Sequence, residues 1–488
     1  MGVDTEAMLE QIRHGPTGAR IAAFFDFDGT LIDGYSATTL YERRLRARQV
    51  GPGEMLRAIK AARGGPMSEA EFETFVSEGI SGWAGKPTSY LEDFGKALYQ
   101  HGIAKNLFHE AWRLVKAHQR AGHTVVIASS ATRVQIAGVA RELGISHVLC
   151  TELEIIDGVA TGRLAGRTLW GEGKEAAIRD FARRRRLRLA NAYGYANGDE
   201  DIPFLQSVGH PCAVNPQPAL ARAARVRDWP VLNFKPGNGR FDPVPALRTG
   251  GIWASLVGGG AAGIALSLLT GDKRRGINLM INAFAQFGGA FGDIKVEVVR
   301  GQGNLWSDRP AVFLVNHQSA LIDLLVGATI LREDVTALAK KEIKQMPVVG
   351  PMMDYAQFAF VDRADSAQAR EALKGALDLI DQGISIVVAP EGTRSFTPAV
   401  GEFKKGAFHL AREAQVPIIP IVVRNSGQIM WRDNRTARTG TVEVVVHDPI
   451  RTEGWKRSDI DAAVEAVRQL YLDTLEDWPG PDHSKAAR

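Results

Sequence analysis

Hydrophobic and polar positions along the chain fall into two α/β patterns separated by an apolar, glycine-rich stretch. The first pattern opens with the short apolar run IAAFF (21–25), which reads as a buried strand ending at Asp26. From about residue 34 to 105 the pattern is mostly helical, with Gly and Pro breaks. HTVVIASS then reads as a strand and ATRVQIAGVARELGI as the next helix. SHVLCTELEI and a DGVATGR turn follow, then the helix GKEAAIRDFARRRR and the strand LANAYGYA. Such alternation predicts a parallel sheet. The Gly-, Pro- and Arg-rich segment 233–250 reads as an interdomain linker.

Residues 250–270 carry no charge, and the apolar stretch INLMINAFAQFGGAFGD follows the basic DKRR. This length suits a membrane helix, and the two stretches together suit a two-helix membrane-docking motif, spanning or in-plane. The bland alternative is a buried helical hairpin. A second α/β pattern then begins. IKVEVV, AVFLVN, ISIVVA, VPIIPIVV and TVEVVVHD read as strands, with a closing helix over 458–475. No internal repeat is apparent.

Composition changes little in this picture. Across 488 residues, 45% are hydrophobic and 23% charged, as in an ordinary globular protein with a sizeable core. A net charge of +4 does not mark a nucleic-acid binder and fits a surface resting on anionic lipid. Cys150 and Cys212 form no CxxC pair, which argues against a disulfide framework or zinc site and for a reducing compartment. The N-terminus has no apolar signal core, and Glu6 and Ala7 stand where a myristoylation signal needs a hydroxyl. The GxGxxG match at Gly258–Gly263 follows no strand and is set aside as a dinucleotide site. The run RRRRLR (183–188) reads as a solvated helix end.

Candidate chemistry sits at strand ends. In the second half, AVFLVNHQSALIDLL places His317 just past a strand, where an imidazole can act as a general base, and Asp323 is near enough to hold its tautomer. VVAPEGTRS sets Glu391, Gly392, Thr393 and Arg394 directly after another strand, a turn with donors suited to a phosphate monoester. AFVDRAD adds Arg363, and ALAKKEIK adds Lys340 and Lys341. The Pro-interrupted run VPIIPIVV suits the lining of an acyl groove.

NHQS…D, FVDR, PEGTRS and VPIIPI occur in the order of four blocks of the glycerolipid, or lysophosphatidic acid, acyltransferase family, and this resemblance covers roughly residues 276–446. It implies that His317 deprotonates a glycerol hydroxyl that attacks an acyl thioester of coenzyme A or acyl carrier protein. It further implies that Asp323 orients His317, and that Arg363, Glu391, Gly392, Thr393 and Arg394 hold the acceptor phosphate. The family usually places four residues between His and Asp, whereas five stand here, Gln318 to Ile322. In a regular helix one extra residue turns a side chain by about 100°.

In the first half, FFDFDGTLID puts Asp26, Asp28 and Thr30 after a strand, so two carboxylates can share a magnesium ion or divide nucleophile and acid/base roles. Ser129 ends the strand VVIASS, Lys174 opens a helix, and YANGDEDIP offers Asn197, Asp199 and Asp201. This order resembles the haloacid-dehalogenase superfamily, in the subfamily similar to phosphoserine phosphatase, over about residues 22–232. The resemblance implies Asp26 as nucleophile, Asp28 as acid and base, Ser129 and Lys174 as phosphoryl binders, and Mg2+ held by Asp26, Asp28, Asn197 and Asp201. Asn197 stands where a metal-binding Asp is common and brings no charge; Asp199 is a candidate to compensate.

The expected fold is therefore α/β: a Rossmann-like haloacid-dehalogenase domain with a helical cap, then a membrane-associated α/β acyltransferase domain. Expected boundaries are 1–232 with the cap at about 34–105, linker 233–250, docking helices 251–292 and acyltransferase 293–480. The expected partners are a lysophospholipid, an acyl thioester donor and membrane lipid at the cytoplasmic face of the plasma membrane, without nucleic acid; a homodimer stays open. Two alternatives also stay open. The first half can be a non-catalytic scaffold, or the acceptor can be glycerol 3-phosphate or another lipid.

Overall fold

Two units, Met1–Gly239 and Arg240–Arg488, are each built on their own sheet. The computed structural model describes residues 4–46, 69–234, 243–361, 366–394, 400–432 and 434–479.

The first unit holds strands β1 (Ala22–Phe25), β2 (Thr124–Thr132), β3 (His147–Thr151), β4 (Leu153–Ile156), β5 (Val159–Leu164), β6 (Tyr193–Ala196), β7 (His210–Val214) and β8 (Val231–Leu232). Its main sheet has the order β3-β2-β1-β6-β7-β8 and is parallel throughout. All four residues of β1 are buried, as expected of a central strand covered on both faces. Phe24 meets Phe181 and Phe204 edge-on, while Phe25 stacks on Tyr195. Between β1 and β2 the described residues form the α-helices Ser36–Arg46, Glu69–Ser81, Thr88–Leu98 and His109–Arg120. The stretch DGVATGR is more than a turn. Asp157 and Gly158 both take positive φ and close a hairpin, and Val159–Leu164 forms β5 against β4. The helix Glu172–Arg185 ends in exposed arginines, with Arg183 and Arg184 paired to Asp180.

The segment read as a linker is partly helical: a helix runs Pro243–Thr270, while 235–242 lie outside the described residues. A second helix, Lys273–Gly292, packs antiparallel against it. Glycine makes this approach close. A Cβ at Gly263 would lie 2.4 Å from the Gly276 carbonyl oxygen, and one at Gly276 would lie 2.2 Å from that of Gly263. The GxGxxG match lies inside the first helix.

The second unit holds β9 (Ile294–Arg300), β10 (Val312–Val315), β11 (Val335–Lys340), β12 (Ala359–Val361), β13 (Ser385–Val388), β14 (Ile418–Val423) and β15 (Gly440–Val446). Their order is β12-β11-β13-β10-β14-β15-β9. The first five run parallel, and β14 pairs antiparallel with β15. The C-terminal ends of β10, β11, β12 and β13 thus share one edge. All six residues of β14 are buried, so VPIIPIVV belongs to the core rather than lining a groove. Two apolar cores cover this sheet, one including Ile252 and Leu256 of the helical pair, the other Phe408 and Tyr471.

Candidate active sites

In the second unit the site forms where β10 ends. Asn316 fixes the crossing: its amide nitrogen donates to the Val423 carbonyl at 2.8 Å and its oxygen accepts the Val423 N–H at 2.7 Å. Residues 316–319 are irregular, and the helix Ala320–Leu331 starts only after them. Asp323 sits in its first turn. One carboxylate oxygen, Oδ2, accepts the N–H groups of Gln318 and Ser319, each at 2.9 Å, and lies 2.8 Å from His317 Nδ1. The irregular turn absorbs the extra residue, and the helix N-terminus gains a carboxylate cap. Asp323 Oδ1 is buried without a partner. The His317 ring stays partly open to solvent.

Glu391 is 6% exposed and faces inward. Its Oε1 accepts the His317 N–H at 2.8 Å and its Oε2 the Gly401 N–H at 2.9 Å. Burial raises its pKa, against the pull of those two N–H groups. In this geometry Glu391 is a strut tying the PEGTR turn to the His317 backbone. Gly392 takes φ +73, Thr393 is exposed, and the Arg394 carbonyl accepts from Arg432 Nη1 at 2.6 Å. Lys340 ends β11 and Lys341 begins the next short helix, both exposed. Arg363 lies outside the described residues.

In the first unit, Asp26 leaves β1 at the centre of the sheet, its N–H donating to the Tyr195 carbonyl at 2.9 Å. Lys174, fully buried in the first turns of its helix, bridges two acids. Its ammonium donates to Asp26 Oδ1 at 2.8 Å and to Asp201 Oδ1 at 2.5 Å. Burial disfavours the ammonium, but Asp201 and Asp26 outweigh it and hold the Lys174 pKa above its ordinary value. Ser129 is buried at the same sheet edge, its hydroxyl accepting the Ala131 N–H at 3.1 Å. Asp28 accepts from the Ser36 N–H at 2.6 Å and the Ser36 hydroxyl at 3.1 Å, and Gln135 supports Ser36. Burial, with Asp26 adding, pushes Asp28 up to about 7 despite these donors. Burial likewise raises Asp201, against the pull of Lys174.

The acidic block after β6 divides its labour. The Asn197 amide lies against Gly29, where a Cβ would come within 2.1 Å of Nδ2; φ +75 independently favours glycine there. Asp199 turns away, its Oδ1 accepting the Leu220 N–H at 2.7 Å. Among the described residues no three His, Cys, Asp or Glu side chains form a ready-made metal cage. The donors nonetheless suit a hard divalent cation. Asp201 Oδ2 is buried without a partner, and three acids face one ammonium. The support given by Ser36 and Gln135, the tie from Asn316 to Val423 and the strut role of Glu391 are not read from the sequence, because each is a contact that only the folded chain makes.

Residues 23–206 match the family model described as haloacid dehalogenase-like hydrolase, and residues 296–424 match the one described as acyltransferase. A probable phosphatase of Mycobacterium tuberculosis is 30% identical over 258 residues, 52% of this chain and 88% of that protein. The phosphoserine phosphatase SerB1 of the same species is 31% identical over 273 residues, 54% of this chain and 84% of its own length. A 1-acyl-sn-glycerol-3-phosphate acyltransferase of Cocos nucifera is 32% identical over 186 residues. That match spans 38% of this chain and only 60% of the plant protein.

Proposed function

We propose an enzyme with two reactions, because the chain belongs to the haloacid dehalogenase-like hydrolase family through its first half and carries an acyltransferase domain in its second. The second unit transfers an acyl group from acyl-CoA or acyl carrier protein to the free hydroxyl of lysophosphatidate, giving phosphatidate. The observation that carries this reading is the His317–Asp323 pair at the sheet edge. With Nδ1 held by Asp323, Nε2 takes the proton of the acceptor hydroxyl. That oxygen attacks the thioester carbonyl, the C–S bond breaks, and the leaving thiolate takes the proton from the imidazolium. A positioned base is worth about 10²–10⁴-fold. Arg363, Thr393, Arg394, Lys340 and Lys341 are read as the cationic and hydroxyl groups that receive the acceptor phosphate. Glu391 and Gly392 shape the turn that carries them.

The first unit hydrolyses a phosphomonoester. Asp26 attacks phosphorus, and Asp28 gives its proton to the leaving alcohol. Asp28 then takes a proton from water, which cleaves the aspartyl phosphate and releases phosphate. Lys174 and Ser129 hold the phosphoryl group. Asp26, Asp28, Asn197 and Asp201 would hold Mg2+, which supplies charge neutralisation at the phosphoryl oxygens when bound.

Membrane docking is read from the helical pair. Pro243–Thr270 is long and apolar enough to cross a bilayer. Its Thr249, Ile252, Ser255 and Leu256 are buried in the unit, while Leu268 and Leu269 are more than four-fifths exposed beside Lys273 and Arg275. An apolar tip followed in sequence by Lys273 and Arg275 favours lying in an anionic interface, here the cytoplasmic face of the plasma membrane. The decisive test is acyl transfer from acyl-CoA to lysophosphatidate by detergent-solubilised protein, beside His317→Ala. Phosphatidate from wild type and not from the variant supports the reading. No product with either thioester donor overturns the acceptor assignment.

A further inference from the structure

Position 197 is neutral, and Asp199 is committed to the amide of Leu220. Besides Asp201, which pairs with Lys174, the remaining acid of the block is Glu200. Its side chain folds back over Gly198 so closely that a Cβ there would lie 2.4 Å from Glu200 Oε1 and 2.6 Å from Oε2. Gly198 thus leaves the space in which this carboxylate sits. In that position Glu200 is within electrostatic reach of Lys174 and Asp26. One residue on, Asp201 is 1% exposed and keeps Oδ2 without a hydrogen-bond partner. An orphaned buried carboxylate oxygen is costly unless something positive meets it.

We propose that Glu200 is the acid that replaces the carboxylate missing at Asn197, adding a second negative charge to that of Asp201 in the acidic block after β6, beside the magnesium site of the first unit. This rests on reading the Asp26 site as magnesium-dependent. Asn197, pinned against Gly29, offers a neutral carbonyl, and Glu200 brings the charge from three residues further along. Mg2+ keeps several of its waters when bound, so a carboxylate beside the first ring of ligands can act through that shell. The charge is therefore moved along the chain rather than lost.

The test is Mg2+ binding by titration calorimetry on the full chain, with the Mg2+-induced rise in melting temperature as a second readout. The variants are Glu200→Gln, Asn197→Asp, Asn197→Asp/Glu200→Gln and, as a site control, Asp201→Asn. Glu200→Gln is expected to weaken Mg2+ binding about 10–100-fold, with the metal-free melting temperature unchanged. Asn197→Asp is expected to restore affinity in that background and to tighten it alone. Wild-type affinity in Glu200→Gln, or no recovery in the double variant, overturns the proposal. If Glu200→Gln does not fold, Asn197→Asp alone decides: tighter binding supports the proposal, and unchanged or weaker binding overturns it. No Mg2+ binding by wild type, or full binding by Asp201→Asn, sinks the magnesium reading itself and Glu200 with it.

Discussion

His317 Nδ1 lies 2.8 Å from Asp323 Oδ2 although six positions, not five, separate the two residues along the chain. The contact exists because the chain stays irregular through Ser319 before the helix starts, so the carboxylate reaches back over two backbone N–H groups to the ring. Asp323→Asn should therefore lower kcat for acyl transfer about 10²–10⁴-fold, by loosening both ring and turn. Steady-state kinetics with lysophosphatidate would check this. A loss confined to KM would refute the positioning role.

Glu391 accepts two buried backbone N–H groups and spends both oxygens on them. Glu391→Gln presents an NH2 where one N–H must be received. It should cost about 1–3 kcal/mol of stability and lower kcat more than it raises KM for the acceptor. Urea unfolding and kinetics on one preparation separate this from direct phosphate binding, which would move KM first.

Asp26 and Lys174 pair in the other unit. Asp26→Asn should abolish Mg2+-dependent phosphate release from a generic phosphomonoester and leave acyl transfer intact. Release that survives in the variant would remove Asp26 as the nucleophile, and no release by wild type would return the first unit to the scaffold reading.

His118 is buried, with ring contacts to His123 Nδ1 at 2.8 Å and the Tyr195 hydroxyl at 2.9 Å. Burial holds the pKa of His118 well below 6.5, with His123 adding to the fall, and burial also lowers that of His123. A depressed folded pKa means that the stability is fully present above the unfolded value, about 6.5, and is lost as pH falls from there toward the folded pKa. The loss per proton is about 1.4 kcal/mol per pH unit. Thermal melts from pH 8 to pH 5 should show it, and His118→Gln should flatten the slope. An unchanged slope would assign the acid sensitivity elsewhere.

Leu268 and Leu269 form the exposed tip of the helical pair. Leu268→Ser/Leu269→Ser should weaken sedimentation with anionic vesicles while sparing acyl transfer to a short-chain, water-soluble acceptor. Equal binding by wild type and variant would remove the tip from membrane docking.

The chain itself carried the two α/β patterns, because strands buried on both faces must be written as continuous apolar runs such as AAFF and IIPIVV. It also marked Asp26, Asp28, Lys174 and His317 as candidates, because strand and helix ends are marked by the switch from apolar to polar residues. Segment folding decided the rest. Whether Asp323 meets His317 depends on where a helix starts, which one extra residue in a loop leaves undetermined in the sequence. Which acid of the block after β6 is turned away from the site depends on which one the Leu220 amide claims. That contact joins residues 21 positions apart in sequence, and only tertiary packing brings them together.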